Sequence, residues 1–329
     1  MKLTALLIGV FAACAAAAAA APLPEGLQHL ESIKDEAGLL QAVRDLDKQL
    51  VPAARDEFEA AKELVRTGKK DEAVEKRKSA AGRLQTVRQA YEYLLVQCPK
   101  NAHGHNYYGE LLYDYFGEQA GALKEWNLAM SLDSQFSAPL NNLAIHYCHN
   151  GQYQLGFEMY DRALAIDPNH PDYLFNLAQA YLLYFPQVQE LRKWKKTRVY
   201  KEAMKLSKKA AEVSPDDFEL AQDYANNFYA AANFGIRADW AKAAKAWQAS
   251  RNLARTDVER FFTWLNEGRV WIREGNKAKA AECLKEAVKL RPDEAVPKKL
   301  LAELQQEPAQ SQSQSPRQPT PNKGRIFGR

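Results

Sequence analysis

Ser137 to His170 reads SAPLNNLAIHYCHNGQYQLGFEMYDRALAIDPNH, and the spacing of its small and large residues decides the architecture. Leu140, Leu143, Ala144 and Tyr147 recur at three-to-four intervals, which puts them on one face of a first helix. Gly151 marks a turn, and Gly156, Tyr160 and Ala163 fall on one face of a second helix that ends at Asp167-Pro168. Ala144, Gly156 and Ala163 carry little or no side chain, so two antiparallel helices can approach closely there. Leu143, Tyr147 and Tyr160 then fill the space between and around them.

The same order returns along the chain at a period of about 34 residues. Phe261 to Glu294 repeats it with Trp264, Gly268, Trp271, Gly275, Ala280, Leu284, Ala287 and Pro292. A copy from Ala102 holds Gly109, Leu112, Gly117, Ala122, Trp126 and Ala129, with one extra residue before its turn. Another opens at Pro171 with Leu174, Leu177, Ala178 and Tyr181; its second helix supplies Ala203, Ala210 and Pro215 after an insertion of 13 residues. The last, from Phe218, shows Tyr224, Ala225 and Phe228, a longer turn, and a helix around Ala243, Trp247 and Ser250. No alternating Val/Ile/Thr-rich segment signals a strand.

In these residues and this period the chain resembles the tetratricopeptide-repeat family over roughly Ala102 to Glu294. The resemblance implies an all-α fold, a right-handed superhelical solenoid of about five helix hairpins spanning 102–136, 137–170, 171–217, 218–260 and 261–294. A single hairpin cannot bury its apolar face alone, so neighbours must stack. Residues 22–101 are expected to form an N-terminal helical cap, with helices broken near Pro52 and Gly68 and an apolar stripe of Leu30, Ile33, Leu40, Val43 and Leu46. Residues 295–306, with Val296, Leu300, Leu301 and Leu304, are expected to cap the other end. From Glu307 the Gln/Ser/Pro-rich run lacks apolar content and is expected to stay disordered to residue 329.

The ends bear on compartment. Lys2, the apolar stretch Leu6 to Phe11 and alanines to Ala21 have the order of a secretory signal peptide over residues 1–21, cleaved near Ala19 to Ala21. A periplasmic or extracellular protein is the expectation. Phe11-Ala12-Ala13-Cys14 resembles a bacterial lipobox with Phe11 in place of the usual aliphatic residue, so anchoring through Cys14 is the alternative. Past the leader, Cys98, Cys148 and Cys283 are too few and too scattered for a disulfide framework and read as small buried hydrophobes. With 46% hydrophobic and 26% charged residues the chain is globular. Lys2 and the tail's Arg317, Lys323, Arg325 and Arg329 against Glu307 account for the whole formal +4, so the body is neutral and a nucleic-acid partner is not expected.

No GxSxG, HExxH, Walker, GxGxxG or CxxC motif occurs, and neither an enzymatic activity nor a cofactor is expected. His103, His105, His146 and His149 lie close in sequence, but helix geometry parts the two pairs, and two ligands do not close a zinc site. The resemblance makes the first-helix face the working surface, a groove for a protein or peptide segment. Its lining is Asn106, Glu110 and Tyr113; Asn141, Ile145, Cys148 and His149; Asp172, Phe175, Gln179 and Leu182; Gln222, Asn226 and Tyr229; and Leu265, Arg269, Ile272 and Arg273. Amides there can pair with a ligand's backbone, and aromatics can anchor it. Some family members hold an extended peptide with an asparagine ladder. Asn142, Asn176 and Asn266 match its position, while Tyr107 and Asp223 depart from it; these Asn could equally tie neighbouring helices together. The terminal-carboxylate grip of chaperone-binding members is absent, since Asn106, Glu110, Asn142, Asp172 and Asn176 occupy its positions. The insertion carries Arg192, Lys193, Trp194, Lys195, Lys196 and Arg198, read as an extension of the following helix that could meet an anionic partner or a membrane surface.

Overall fold

A computed structural model describes residues 23–306, so the expected leader, Cys14 and the tail from Glu307 lie outside the described residues. Among the described residues every regular element is helical. The chain divides into two units, Met1–Pro139 and Leu140–Arg329.

The first unit opens with a 3-10 helix, Glu25–Ser32, whose Leu27 and Leu30 are fully buried. Two long helices follow, α1 (Glu36–Arg66) and α2 (Lys70–Gln97), packed along each other as a hairpin. Asp35 caps α1 by accepting the Gly38 amide at 2.6 Å. The break expected near Pro52 does not occur, for α1 runs unbroken through it. Pro52 is exposed, and Val43, Ala54 and Ala61 on either side of it are fully buried, so packing against α2 outweighs the backbone hydrogen bond that proline forfeits. Gly68, at a φ of 83°, does turn the chain.

The next hairpin is α3 (Ala102–Leu111) and α4 (Gln119–Leu132). The extra residue in this copy is absorbed as a π-helical turn, Leu112–Phe116, which widens the end of α3 before Gly117.

In the second unit α5 (Ala138–His149, of which the part from Leu140 belongs here) pairs with α6 (Tyr153–Ile166). Leu140, Leu143, Ala144, Tyr160 and Ala163 are buried, as the spacing predicts. Gly156 is the point of closest approach: a Cβ there would lie 2.4 Å from Cys148 Sγ and 3.0 Å from the Ala144 carbonyl oxygen. Gly156→Val is therefore expected to lower stability by about 1–3 kcal/mol, because overpacking exceeds the small helix-propensity gain. In urea titrations Cys148→Ala should recover part of that loss by removing Sγ. A Gly156→Val chain with an unchanged urea midpoint would show that the helices part freely.

α7 (Pro171–Leu183) packs on α9 (Lys196–Val213), and the insertion between them forms a helix of its own, α8 (Phe185–Arg192). This corrects the expected extension of the following helix. Pro186 stands in the first turn of α8, and Lys193 ends it at a φ of 53°, the one non-glycine residue with positive φ among the described residues. α10 (Phe218–Asn227) runs into a 3-10 segment, Phe228–Phe234, which is the longer turn of the fifth copy, and α11 (Trp240–Leu253) follows. α12 (Asp257–Glu274) starts at a capping box in which Thr256 and Glu259 bond each other's backbone amides. It packs on α13 (Lys277–Leu290), and Leu300, Leu301 and Leu304 of α14 (Ala295–Gln306) pack against Phe261, Leu265 and Leu284. Val296 stays exposed.

Candidate functional site

In the second unit side-chain bonds join each first helix to the next. The Asn176 amide of α7 donates to Asn141 Oδ1 of α5 at 3.2 Å, and both residues are buried. Gln179 of α7 donates to Asp223 of α10 at 2.8 Å. The Tyr229 hydroxyl, just past α10, donates to the Asn266 carbonyl of α12 at 3.0 Å. One face is thus fastened across α5, α7, α10 and α12.

These bonds change the part that the ladder residues play. Asn176 is spent on the seam with Asn141 instead of facing a ligand, and Asn266 donates to Phe262 of its own helix at 2.9 Å. Asn142 is half-buried on α5. Asp223, where the ladder pattern lapses, is the hub of the face. It accepts Gln179, Ser207 at 3.0 Å and Asn227 at 2.8 Å, which binds α7, α9 and α10 together. Burial pushes its carboxyl up to about 7, although the Ser207 and Asn227 bonds favour the charged form.

Beside this seam Phe175, Gln179 and Gln222 are half-buried and Asn226 and His149 are exposed. Burial, and then the neighbouring His146, hold the His149 imidazole below its usual range. Ile145, Cys148 and Leu265 are buried in the packing, so they support the face from beneath. Asp172, Leu182 and Ile272 are half-buried.

At the C-terminal end of the face Arg269 donates to Asn266 Oδ1 at 3.1 Å. One turn on, Arg273 lies over the Tyr229 ring at 4.9 Å and the Trp240 ring at 5.6 Å. Neither arginine is ion-paired to a carboxylate among the described residues. Burial, and then the positive charge of Arg273, hold the Arg269 guanidinium below its usual range.

In the first unit Asn106 is fully buried and donates to Glu110 at 2.8 Å, so it braces its own helix. Tyr113 is half-buried against Trp126, with ring centroids 5.3 Å apart. His103 is exposed, whereas His105 is buried on Glu125. Among the described residues no three His, Cys, Asp or Glu side chains gather closely enough to hold a metal ion. Burial pushes the Cys148 and Cys283 thiols each up to about 12.

The basic insertion is largely engaged with its own unit. Arg192 pairs with Asp161 at 2.6 Å, Trp194 meets Tyr181 edge-on at 5.7 Å, and Arg198 lies 4.5 Å over Trp194. Lys196 sits 4.8 Å over Phe185, and Lys193 and Lys195 are exposed. No described helix is long and apolar enough to cross a membrane.

Glu267 is not among the residues that the repeat spacing singles out. It stands immediately before Gly268, where Leu143 and Leu177 precede Ala144 and Ala178 in their copies. It is 2% exposed, paired with Arg251, and accepts Gln248 at 2.6 Å and Trp271 at 3.1 Å. An acid in the leucine position was its visible signal.

Two tetratricopeptide-repeat sequence profiles match the chain, one over residues 261–294 and one over 159–197. The chain carries tetratricopeptide repeats. No curated protein matches it. Among solved structures, a tetratricopeptide-repeat stack similar to this one is the C-terminal part of a repeat protein from Cytophaga hutchinsonii. It is 13% identical, with 80% of this chain and 98% of that chain covered and a TM-score of 0.50. YrrB, a tetratricopeptide-repeat protein described as having an unusual peptide-binding site, is 19% identical over 65% of this chain and 98% of its own, with a TM-score of 0.46. PilF of Pseudomonas aeruginosa is 14% identical over 77% of this chain and 98% of its own, with a TM-score of 0.48. The tetratricopeptide-repeat fold is that of a protein-interaction scaffold.

Proposed function

We propose that this chain is a non-catalytic, exported scaffold that binds an extended protein segment on the first-helix face of its second unit. The leader from Met1 to Ala21 supports export. The observation that carries the binding reading is the fastened seam Asn141–Asn176, Gln179–Asp223 and Tyr229–Asn266. A surface already locked by its own hydrogen bonds binds without first ordering itself. Phe175 offers an apolar anchor, and Gln222 and Asn226 offer amides that can meet a ligand backbone.

The test is an array of diverse 12-residue peptides probed with the whole chain. A chain with Phe175→Ala, Gln222→Ala and Asn226→Ala should lose the peptides that wild type retains. A chain with Glu158→Ala and Lys205→Ala, exposed positions on second helices, should keep them. Retention of the same peptides by the triple variant, or no retention by wild type, would sink the reading.

A further inference from the structure

Arg269 and Arg273 differ from the ion-paired arginines of the second unit. In the second unit Arg192, Arg251, Arg260 and Arg291 each sit on a carboxylate, respectively Asp161, Glu267, Asp257 and Glu294. Arg269 and Arg273 stand four residues apart on α12 with a side-chain amide and two aromatic rings for company, and neither is ion-paired to a carboxylate among the described residues. Like charges at this spacing on a helix repel, so the pair is destabilising unless it is met from outside. Tyr229 holds the place open from below. It is half-buried, its hydroxyl is fixed on the Asn266 carbonyl, and its ring packs on Trp240 at a centroid distance of 5.6 Å.

The spacing selects a ligand. Four residues of helix rise by about 6 Å. Alternate side chains of an extended strand project to one side and repeat at about 6.5–7 Å. Carboxylates two residues apart in an extended segment therefore match two guanidiniums four residues apart on α12, with one charge-assisted contact each. Resting on the groove reading above, we infer that Arg269 and Arg273, framed by Tyr229, Trp240 and Asn266, receive the side-chain carboxylates of an extended acidic segment with acids at alternate positions. Guanidinium forks suit carboxylate oxygens, and the rings beneath Arg273 hold its plane without neutralising it.

The experiment uses the full chain and a fluorescent decapeptide of alternating Glu and Thr, blocked at both ends so that it has no terminal carboxylate. The comparison peptide carries Gln at every Glu. Fluorescence anisotropy should give the Glu peptide an affinity on the order of tenfold higher. Arg269→Gln/Arg273→Gln should erase that difference while its thermal melt stays at or slightly above that of wild type. Raising salt from about 50 to about 500 mM should weaken the Glu peptide alone. Equal affinity for both peptides, or a difference that survives in the double variant, overturns the assignment. If the peptide array still loses its binders in the Phe175/Gln222/Asn226 variant, the groove reading stands without it.

Discussion

Replacing Glu267 with leucine is expected to destabilise the C-terminal hairpins by about 3–5 kcal/mol, although leucine is what the repeat spacing calls for there. The carboxylate is 2% exposed and serves Arg251, Gln248 and Trp271 at once. Removing it leaves a guanidinium 3.4 Å above the Trp264 ring and two further donors without an acceptor. The Coulomb and hydrogen-bond terms lost with the pair exceed what an added leucine side chain can bury. Arg251→Met in the same chain should restore most of the loss, since apolar replacement of a whole buried pair is often neutral and methionine packs well on an indole. Hydrogen exchange should rise in α11 to α13 and stay unchanged in α1 to α4, because repeat stacks lose stability neighbour by neighbour. Wild-type unfolding of the Glu267→Leu chain in urea would mean that the pair contributes nothing net.

Glu267 also marks where reading the sequence stops working. Small residues such as Ala144, Gly156 and Gly268 announce themselves because close helix crossing demands them wherever they fall. The extra residue before Gly117 was likewise visible, and its physical form is the π-helical turn Leu112–Phe116. Partner choice among polar side chains is different, since it depends on which helix faces which. In the sequence Asn176 fits a peptide ladder and a helix-to-helix tie equally, and Asn141 against it decides for the tie, while Asp223 reads as a gap in a ladder although three donors converge on it. Pro52 misled for the opposite reason. A local rule predicts a break, and the buried alanines and valines shared between α1 and α2 override it. The Arg269–Arg273 pair was legible as charge, but only the structure separates two unmatched cations from the paired ones around them.

His105→Ala is expected to produce a loss of similar size in the first unit, about 3–5 kcal/mol below the imidazole range of pH. His105 is buried on α3, and its two ring nitrogens meet Glu125 Oε2 at 2.6 Å and the Pro99 carbonyl at 3.0 Å. Both neighbours are acceptors, so both nitrogens donate and the ring is an imidazolium. Burial opposes that charge, but the bonds to Glu125 and Pro99 outweigh it and raise the pKa above the ordinary histidine value. A raised folded-state pKa contributes stability that is full below about 6.5, the unfolded value, and is lost as pH climbs through the folded one. Urea titrations of wild type should therefore show stability falling as pH rises past about 6.5 and through the raised folded-state value, and those of His105→Ala should lack that fall. Without the ring, Glu125 keeps only Lys124, at 3.9 Å, among the described residues, so the penalty is that of a buried carboxylate left almost alone. Glu125→Gln should flatten the same pH profile at a smaller loss, since a neutral imidazole can keep its one N–H on the Pro99 carbonyl and accept the glutamine's side-chain N–H at Nδ1. Parallel pH curves for wild type and His105→Ala would mean that the ring is neutral in the folded chain, and the charge assignment would fail.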